Sequence, residues 1–117
     1  IYKIITNTLS LIFNLNLKKL ISELELYKNE ADIWRIDKNI SNSAGNLALH
    51  IVGNLNTYIG KELGKTNYVR NRELEFSNKN IPRQDLIDSI NETRTVLTET
   101  LQALSNEDLK RDYSCGA

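Results

Sequence analysis

The chain has 117 residues, of which 40% are hydrophobic and 26% are charged, and its 15 basic and 15 acidic residues cancel. This length allows one domain, residues 1–117, with a single core, and the balanced charge argues against a nucleic-acid or membrane partner. The lone cysteine, Cys115, excludes an internal disulfide framework and fits a reducing compartment, so we expect a cytoplasmic protein.

The first predicted element is a helix over about residues 3–27, which contain neither glycine nor proline. Apolar residues recur there at intervals of three and four, the period of an amphipathic helix: Ile5, Leu9, Ile12, Phe13, Leu17, Leu20, Leu24 and Tyr27. A turn and a short helical piece follow at residues 29–34. We expect its Trp34 to close the end of the core, although an exposed tryptophan would instead form a stacking platform for a ligand.

A second helix is predicted from a cap at Ser41 or Ser43 to a stop at Gly64. Small and polar residues occupy one stripe of it: Ser43, Asn46, His50, Gly53, Asn54, Thr57 and Gly60. The rest of the circumference is largely apolar, which is typical of a deeply packed helix. We therefore expect the stripe to line a cavity or groove, with the sole histidine, His50, as the best candidate for chemistry.

Residues 65–81 show no sustained period and predict a long connection, of a length that is often functional. The third helix opens at Pro82, where a missing N–H is tolerated. Its apolar residues have the near-heptad spacing of a bundle helix, with Thr93 filling a gap: Leu86, Ile90, Leu97, Leu101 and Leu104. The pattern predicts an all-α fold, an incomplete four-helix bundle of three long helices.

The chemistry of His50 has two interpretations. One histidine cannot complete a catalytic metal site, which usually needs about three protein ligands. Neither Glu62 nor Glu73 is spaced to share its helix face. A buried structural histidine bonded to Asn46 or Asn54, four residues away on either side, is one interpretation. The same amides could instead orient a metal-ligating imidazole or its ligand.

The predicted connection carries a second group of polar residues around Arg70 and Arg72. Guanidinium groups bind carboxylates and phosphates through paired hydrogen bonds, so these two residues are candidates to hold an anionic substrate. The alternative is that both arginines pair locally with Glu73, Glu75 or Asp37 and fasten the connection to the bundle.

Two motifs carry a resemblance to a known family. Residues 41–50, Ser-Asn-Ser-Ala-Gly-Asn-Leu-Ala-Leu-His, with Gly53-Asn54-Leu55 form the first, and Tyr68-Val-Arg-Asn-Arg-Glu73 with Glu75-Phe-Ser77 forms the second. Together they resemble the DinB-like superfamily over about residues 20–109, most closely an uncharacterised branch. The resemblance implies a four-helix bundle, commonly a homodimer. It also implies a divalent metal, nickel or zinc, held by one histidine of the second helix, which maps onto His50, and by a His-x-x-x-His pair on the fourth.

The chain departs from that family pattern because it reaches Ala117 without a fourth helix or a second histidine. We expect the sequence to be a piece of a longer chain, whose missing segment or partner covers an exposed apolar seam. Some relatives in the superfamily are thiol transferases. The first functional hypothesis is thus a metal-dependent enzyme, a thiol S-transferase or small-molecule hydrolase acting on a thiol or anionic ligand, with no catalytic residue identified. The second is a non-catalytic helical binding or dimerisation module in which His50 is structural.

Overall fold

The computed structural model describes residues 2–36 and 42–104, which contain helices and no β-strand. Four α-helices lie within this part of the chain: α1 (Tyr2–Glu25), α2 (Ala44–Leu55), α3 (Arg72–Ser77) and α4 (Arg83–Ala103). A 3₁₀ turn (Glu30–Trp34) precedes α2, and a π-helical segment (Asn56–Lys61) continues it. The predicted all-α fold class is confirmed. The described residues form three long helical rods and the short α3, and the long fourth helix implied by the resemblance does not lie among them.

The core is built around α4, which packs along α1 and against α2 and the π-helical segment. α4 begins one residue after Pro82, as the sequence predicted, and its near-heptad positions Leu86, Ile90, Thr93 and Leu97 are almost completely buried. They meet buried residues of α1 and α2: Leu17, Leu24, Ala48 and Val52. The heptad pattern therefore marks the correct face of α4.

The 3₁₀ turn closes one end of this core. The side chain of Asn29 accepts a hydrogen bond from the backbone N–H of Ala31 and so starts the turn. Ile33 and Trp34 are buried, at 0% and 7% exposure, which confirms that Trp34 belongs to the core. Its ring packs against Gly45 so closely that a β-carbon there would lie 2.7 Å from the indole.

The second helical rod begins and ends close to the predicted residues. Ser43 caps α2 by accepting from the backbone N–H of Asn46 at 3.1 Å, while Ser41 lies outside the described residues. The rod runs on through the π-helical segment into a turn at residues 62–64. Lys65, not Gly64, takes the left-handed conformation, with φ of 58°. Gly64 is instead required for close packing, since a β-carbon there would overlap the Thr100 hydroxyl.

The prediction that residues 65–81 lack structure of their own was wrong at α3. The side chain of Asn71 accepts a hydrogen bond from the backbone N–H of Leu74 at 3.1 Å, which caps this short helix. Six residues are too few to show a helical period in the sequence. Contacts with α2 hold α3 in place.

A large apolar surface remains exposed along α1. Ile4, Ile5, Leu11, Ile12 and Leu15 are each between 45% and 68% exposed. An exposed apolar seam was expected, and α1 carries half of the large hydrophobic residues that are exposed among the described residues. None of the helices in the described part of the chain is long and apolar enough to cross a membrane.

Candidate functional site

The polar stripe of α2 is covered by the segment that contains α3. Asn46 is 1% exposed, and its side-chain amide donates hydrogen bonds to the carbonyl oxygens of Glu75 and Asn78, each at 2.9 Å. Its Oδ1 accepts from Ser43 at 2.6 Å and from Lys79 at 3.0 Å. Asn46 was a candidate to bind substrate or orient His50. The structure gives it a different position, as the residue that fastens α3 to α2.

This fastening brings the carboxylate of Glu75 against α2. Glu75 is the buried residue of α3, at 6% exposure, while the residues around it face solvent. Its Oε2 accepts from Arg70 Nε at 2.8 Å, and its Oε1 accepts from Arg70 Nη2 at 3.0 Å. Such a two-bond pair between a guanidinium and a carboxylate fixes the direction of both groups. Arg70 therefore has its local partner, which is the second of the two interpretations offered by the sequence.

His50 completes a three-residue cluster with Arg70 and Glu75. Its Nδ1 lies 3.2 Å from Glu75 Oε1 and 3.3 Å from Arg70 Nη2. The guanidinium can only donate, and the ionised carboxylate can only accept. A proton on Nδ1 donates to Glu75, whereas a lone pair there would accept from Arg70 and face the carboxylate oxygen. The shorter contact is the one to the charged carboxylate, and it favours the tautomer with hydrogen on Nδ1, which leaves the lone pair on Nε2.

The electrostatics of the cluster keep Glu75 ionised. Burial on its own raises the pKa of the Glu75 carboxyl, but hydrogen bonds from Arg70 and His50 and the charge of Arg70 outweigh it, so the pKa lies below its ordinary value. The hydrogen bond with Glu75 in turn raises the pKa of Arg70. The pair is charged at neutral pH and presents a fixed acceptor to the imidazole.

The imidazole also borders open space. The His50 side chain is 34% exposed and lines a groove of about 340 Å³ between α1 and α2. The Phe76 ring lies on it with a centroid distance of 5.4 Å. Most other residues of the groove are apolar, with amides at two positions: Phe13, Asn16, Leu17, Leu20, Ile51, Asn54 and Leu55. The stripe predicted to line a groove does so at His50 and Asn54 only.

The remaining candidate residues are separated from one another. Asn54 lies in the groove with His50, and Arg72 is exposed at the start of α3. The interpretation that His50 is bonded to Asn46 or Asn54 on its own helix was wrong. The hydrogen-bond partner of its Nδ1 is Glu75 instead. Asp37, a possible partner of the arginines, lies outside the described residues. The sequence indicated Glu75 only as a partner of Arg70 or Arg72, not as a neighbour of His50. The glycine at position 53 could have indicated it, because a missing side chain on the polar stripe leaves room for another group to approach α2.

A complete metal site is not formed by this part of the chain alone. Within residues 2–36 and 42–104 no group of three or more histidine, cysteine, aspartate or glutamate side chains could hold an ion. His50 with Glu75 matches one part of such a site, a ligand imidazole oriented by a carboxylate. Further ligands would have to come from residues other than these.

The comparisons with known proteins identify a family. The family model described as "Protein of unknown function (DUF1572)" matches residues 10–115, which include His50, Arg70 and Glu75. No curated protein and no solved structure matches the chain significantly.

Proposed function

The chain belongs to the DUF1572 family, and on this premise we propose that it is a DinB-like protein that binds a divalent metal through His50. The observation that carries the proposal is the contact between His50 Nδ1 and Glu75 Oε1 at 3.2 Å. Metal-ligating histidines almost always donate their other ring N–H to a carboxylate, a carbonyl or water, which fixes the tautomer and makes the ligating nitrogen more basic. Glu75 is placed to do this, and Arg70 holds it there.

The metal would be nickel or zinc, since imidazole suits both ions. The additional ligands would come from a segment other than the described residues or from a second subunit. When bound, the metal would supply a Lewis acid that lowers the pKa of a coordinated thiol or water. Such chemistry fits transfer of a small thiol or hydrolysis of a small substrate.

The chain's own residues would then have separate tasks. Glu75 holds the proton on Nδ1 of His50, and Arg70 keeps Glu75 ionised. The apolar walls of the groove between α1 and α2 exclude water from a substrate, while the Asn54 amide offers hydrogen bonds to it. Arg70 is engaged by Glu75, so an anionic group of the substrate would have to be held by the exposed Arg72 instead.

Metal analysis of the full-length protein, purified without a histidine tag, tests the proposal. We expect about one nickel or zinc per chain and its loss in His50→Ala. Glu75→Gln should weaken metal affinity about tenfold, as is typical when the carboxylate partner of a ligand histidine is changed. Asn54→Ala, in the same groove, serves as the matched control and should keep the metal. The proposal fails if the wild type holds no stoichiometric metal, or if folded His50→Ala retains it.

A second candidate function is a non-catalytic binding or dimerisation module with a structural histidine. It is favoured by the internal hydrogen bonds of His50, which tie α3 to α2, and by the exposed apolar residues of α1. In this case His50→Ala lowers stability and leaves metal content unchanged. The partner would be a second copy in the cytoplasm, packed against Ile12 and Leu15. Light scattering of the wild type and of Ile12→Lys would then show a dimer and a monomer.

A further inference from the structure

A cavity lies between α2 and α4, beneath residues 68–78. Its volume is about 350 Å³, a size suited to a small organic molecule. Its apolar walls are formed by Leu49, Val52, Leu74 and Val96. This cavity shares no lining residue with the groove of the proposed metal site, so the two are separate. Glu75 lines the cavity and contacts His50, which lines the groove.

Two buried polar side chains, Asn56 and Thr93, line this cavity. The Asn56 amide donates both of its hydrogens, to the carbonyl oxygen of Val52 and to Thr93 Oγ1, each at 2.8 Å. Thr93 Oγ1 in turn donates to the carbonyl oxygen of Ser89 at 2.8 Å. Both residues are buried, at 9% and 1% exposure. The donors of this pair are therefore used within the protein, and the Asn56 Oδ1 remains as an acceptor.

The backbone at Asn56 is also unusual. Asn56 is the first residue of the π-helical segment, where Glu62 N–H bonds to the Thr57 carbonyl, five residues earlier. π-Helical turns are rare and occur frequently at functional sites, because they displace a side chain from the regular helical position. Here the segment begins at Asn56, a buried polar residue that lines the cavity.

The charges of the lining favour a cation. The residues that line the cavity include two carboxylates, Glu75 and Glu92, and no lysine, arginine or histidine. Arg70 balances Glu75 from outside the cavity, so the exposed Glu92 adds the net negative charge. Tyr68 contributes an aromatic ring to the lining, and aromatic faces attract ammonium groups.

We propose that the cavity between α2 and α4 binds a small aliphatic ammonium ion. The ammonium group lies among Glu92, the Tyr68 ring and Asn56 Oδ1, and the hydrocarbon chain contacts Leu49, Val52 and Val96. This combination distinguishes an alkylammonium ion from two molecules of similar size: a carboxylate is repelled, and a neutral alcohol gains no charge interaction.

Titration with n-butylammonium chloride, monitored by amide chemical shifts, tests the proposal. Samples contain EDTA, so that a metal at His50 contributes nothing and failure of the metal proposal leaves this result unaffected. We expect saturable shifts at Asn56, Ser89 and Glu92, and none at Phe13 or Asn16 in the other groove. At equal ionic strength, n-butanol and sodium butyrate should bind at least about fivefold more weakly.

Matched variants of α4 separate a site-specific charge from the overall charge of the protein. Glu92→Gln should weaken butylammonium binding about three- to fivefold, the usual effect of losing one exposed ion pair. Glu99→Gln removes the same charge from an exposed position two turns along the helix, outside the cavity, and should change binding less than about twofold. Tyr68→Leu should cost about threefold. Unsaturable shifts, equal binding of butyrate, or equal effects of the two glutamate variants would overturn the proposal.

Discussion

Gly53 lies directly beneath the carboxylate of Glu75. A β-carbon built on Gly53 would overlap Glu75 Oε2 and would lie 2.7 Å from Glu75 Cδ. Gly53 is one turn after His50 on the same helix, so the space that it leaves open is the space through which the carboxylate reaches the imidazole. The cluster formed by His50, Arg70 and Glu75 therefore requires glycine at position 53, because any larger side chain would occupy the place of the carboxylate.

Gly53→Ala should destabilise the protein despite the better helix propensity of alanine. Propensity alone would stabilise the helix by up to about 1 kcal/mol, but displacement of a buried ion pair should give a net loss of about 1–3 kcal/mol. Urea unfolding measures the change. In a Glu75→Ala background the clash is absent, and the same substitution should be neutral or stabilising. Equal losses in both backgrounds would show that Glu75 is not the group displaced.

Glu75→Gln should lower the free energy of unfolding by about 3 kcal/mol, because it leaves the Arg70 guanidinium with an incomplete partner in a buried place. Arg70 and Glu75 side chains are 10% and 7% exposed. The control is Glu73→Gln, an exposed residue of the same short helix, which should change stability by less than about 0.5 kcal/mol. Similar effects of the two substitutions would contradict the assignment of a structural role to the buried pair.

The pH dependence of stability should carry the signature of Glu75. Its pKa in the folded protein lies below the ordinary value of 4.5, so the unfolded chain binds more protons between these two values. Its contribution to stability is complete above about pH 4.5 and is lost as the pH falls through the pKa of the folded state. The difference in the free energy of unfolding between the wild type and Glu75→Gln should therefore shrink only below about pH 4.5. Urea unfolding at a series of pH values measures this difference. A constant difference down to the lowest pH would disagree with this prediction.

His50 should carry its proton on Nδ1 when the imidazole is neutral. The reason is the position of Glu75 Oε1, 3.2 Å from that nitrogen. Because His50 is the only histidine of the chain, two-bond ¹⁵N–¹H correlation spectra will show one set of ring signals and identify the tautomer directly. Glu75→Gln should shift the population toward hydrogen on Nε2. A wild type already protonated on Nε2 would remove the main support for a metal-ligating role.

Gly45→Ala should disturb the end of the core at Trp34. The added β-carbon would lie 2.7 Å from the indole, so either the ring or α2 must move, at a cost of about 1–3 kcal/mol. Trp34 is the only tryptophan, and its fluorescence should shift toward longer wavelength as it becomes more exposed. Ala48→Gly, at another buried position of α2, lowers helix propensity and removes a buried methyl group without crowding the indole, so it should leave the emission wavelength unchanged.

The periodic spacing of apolar residues predicted the structural features that depend only on residues three or four apart in the sequence. The spacing of apolar residues located α1, α2 and the buried face of α4. The choice of Ser41 or Ser43 as a cap located the start of α2, and the structure shows that the cap is Ser43. The same reasoning failed at α3, because six residues provide less than two helical turns and the helix depends on contacts with α2. It did place the end of the second helix near Gly64, but the left-handed residue there is Lys65, and Gly64 is needed for the approach of α4.

The sequence by itself determined that this protein is helical, which faces of its helices are apolar, and that His50 is the one histidine among these 117 residues. Only the tertiary structure decided that Glu75, 25 residues away, is the group that contacts it. A helical period relates residues three and four apart, whereas this contact depends on the path of the connection after Gly64. That path places α3 over Gly53, where the absence of a side chain lets a buried carboxylate reach both Arg70 and the imidazole.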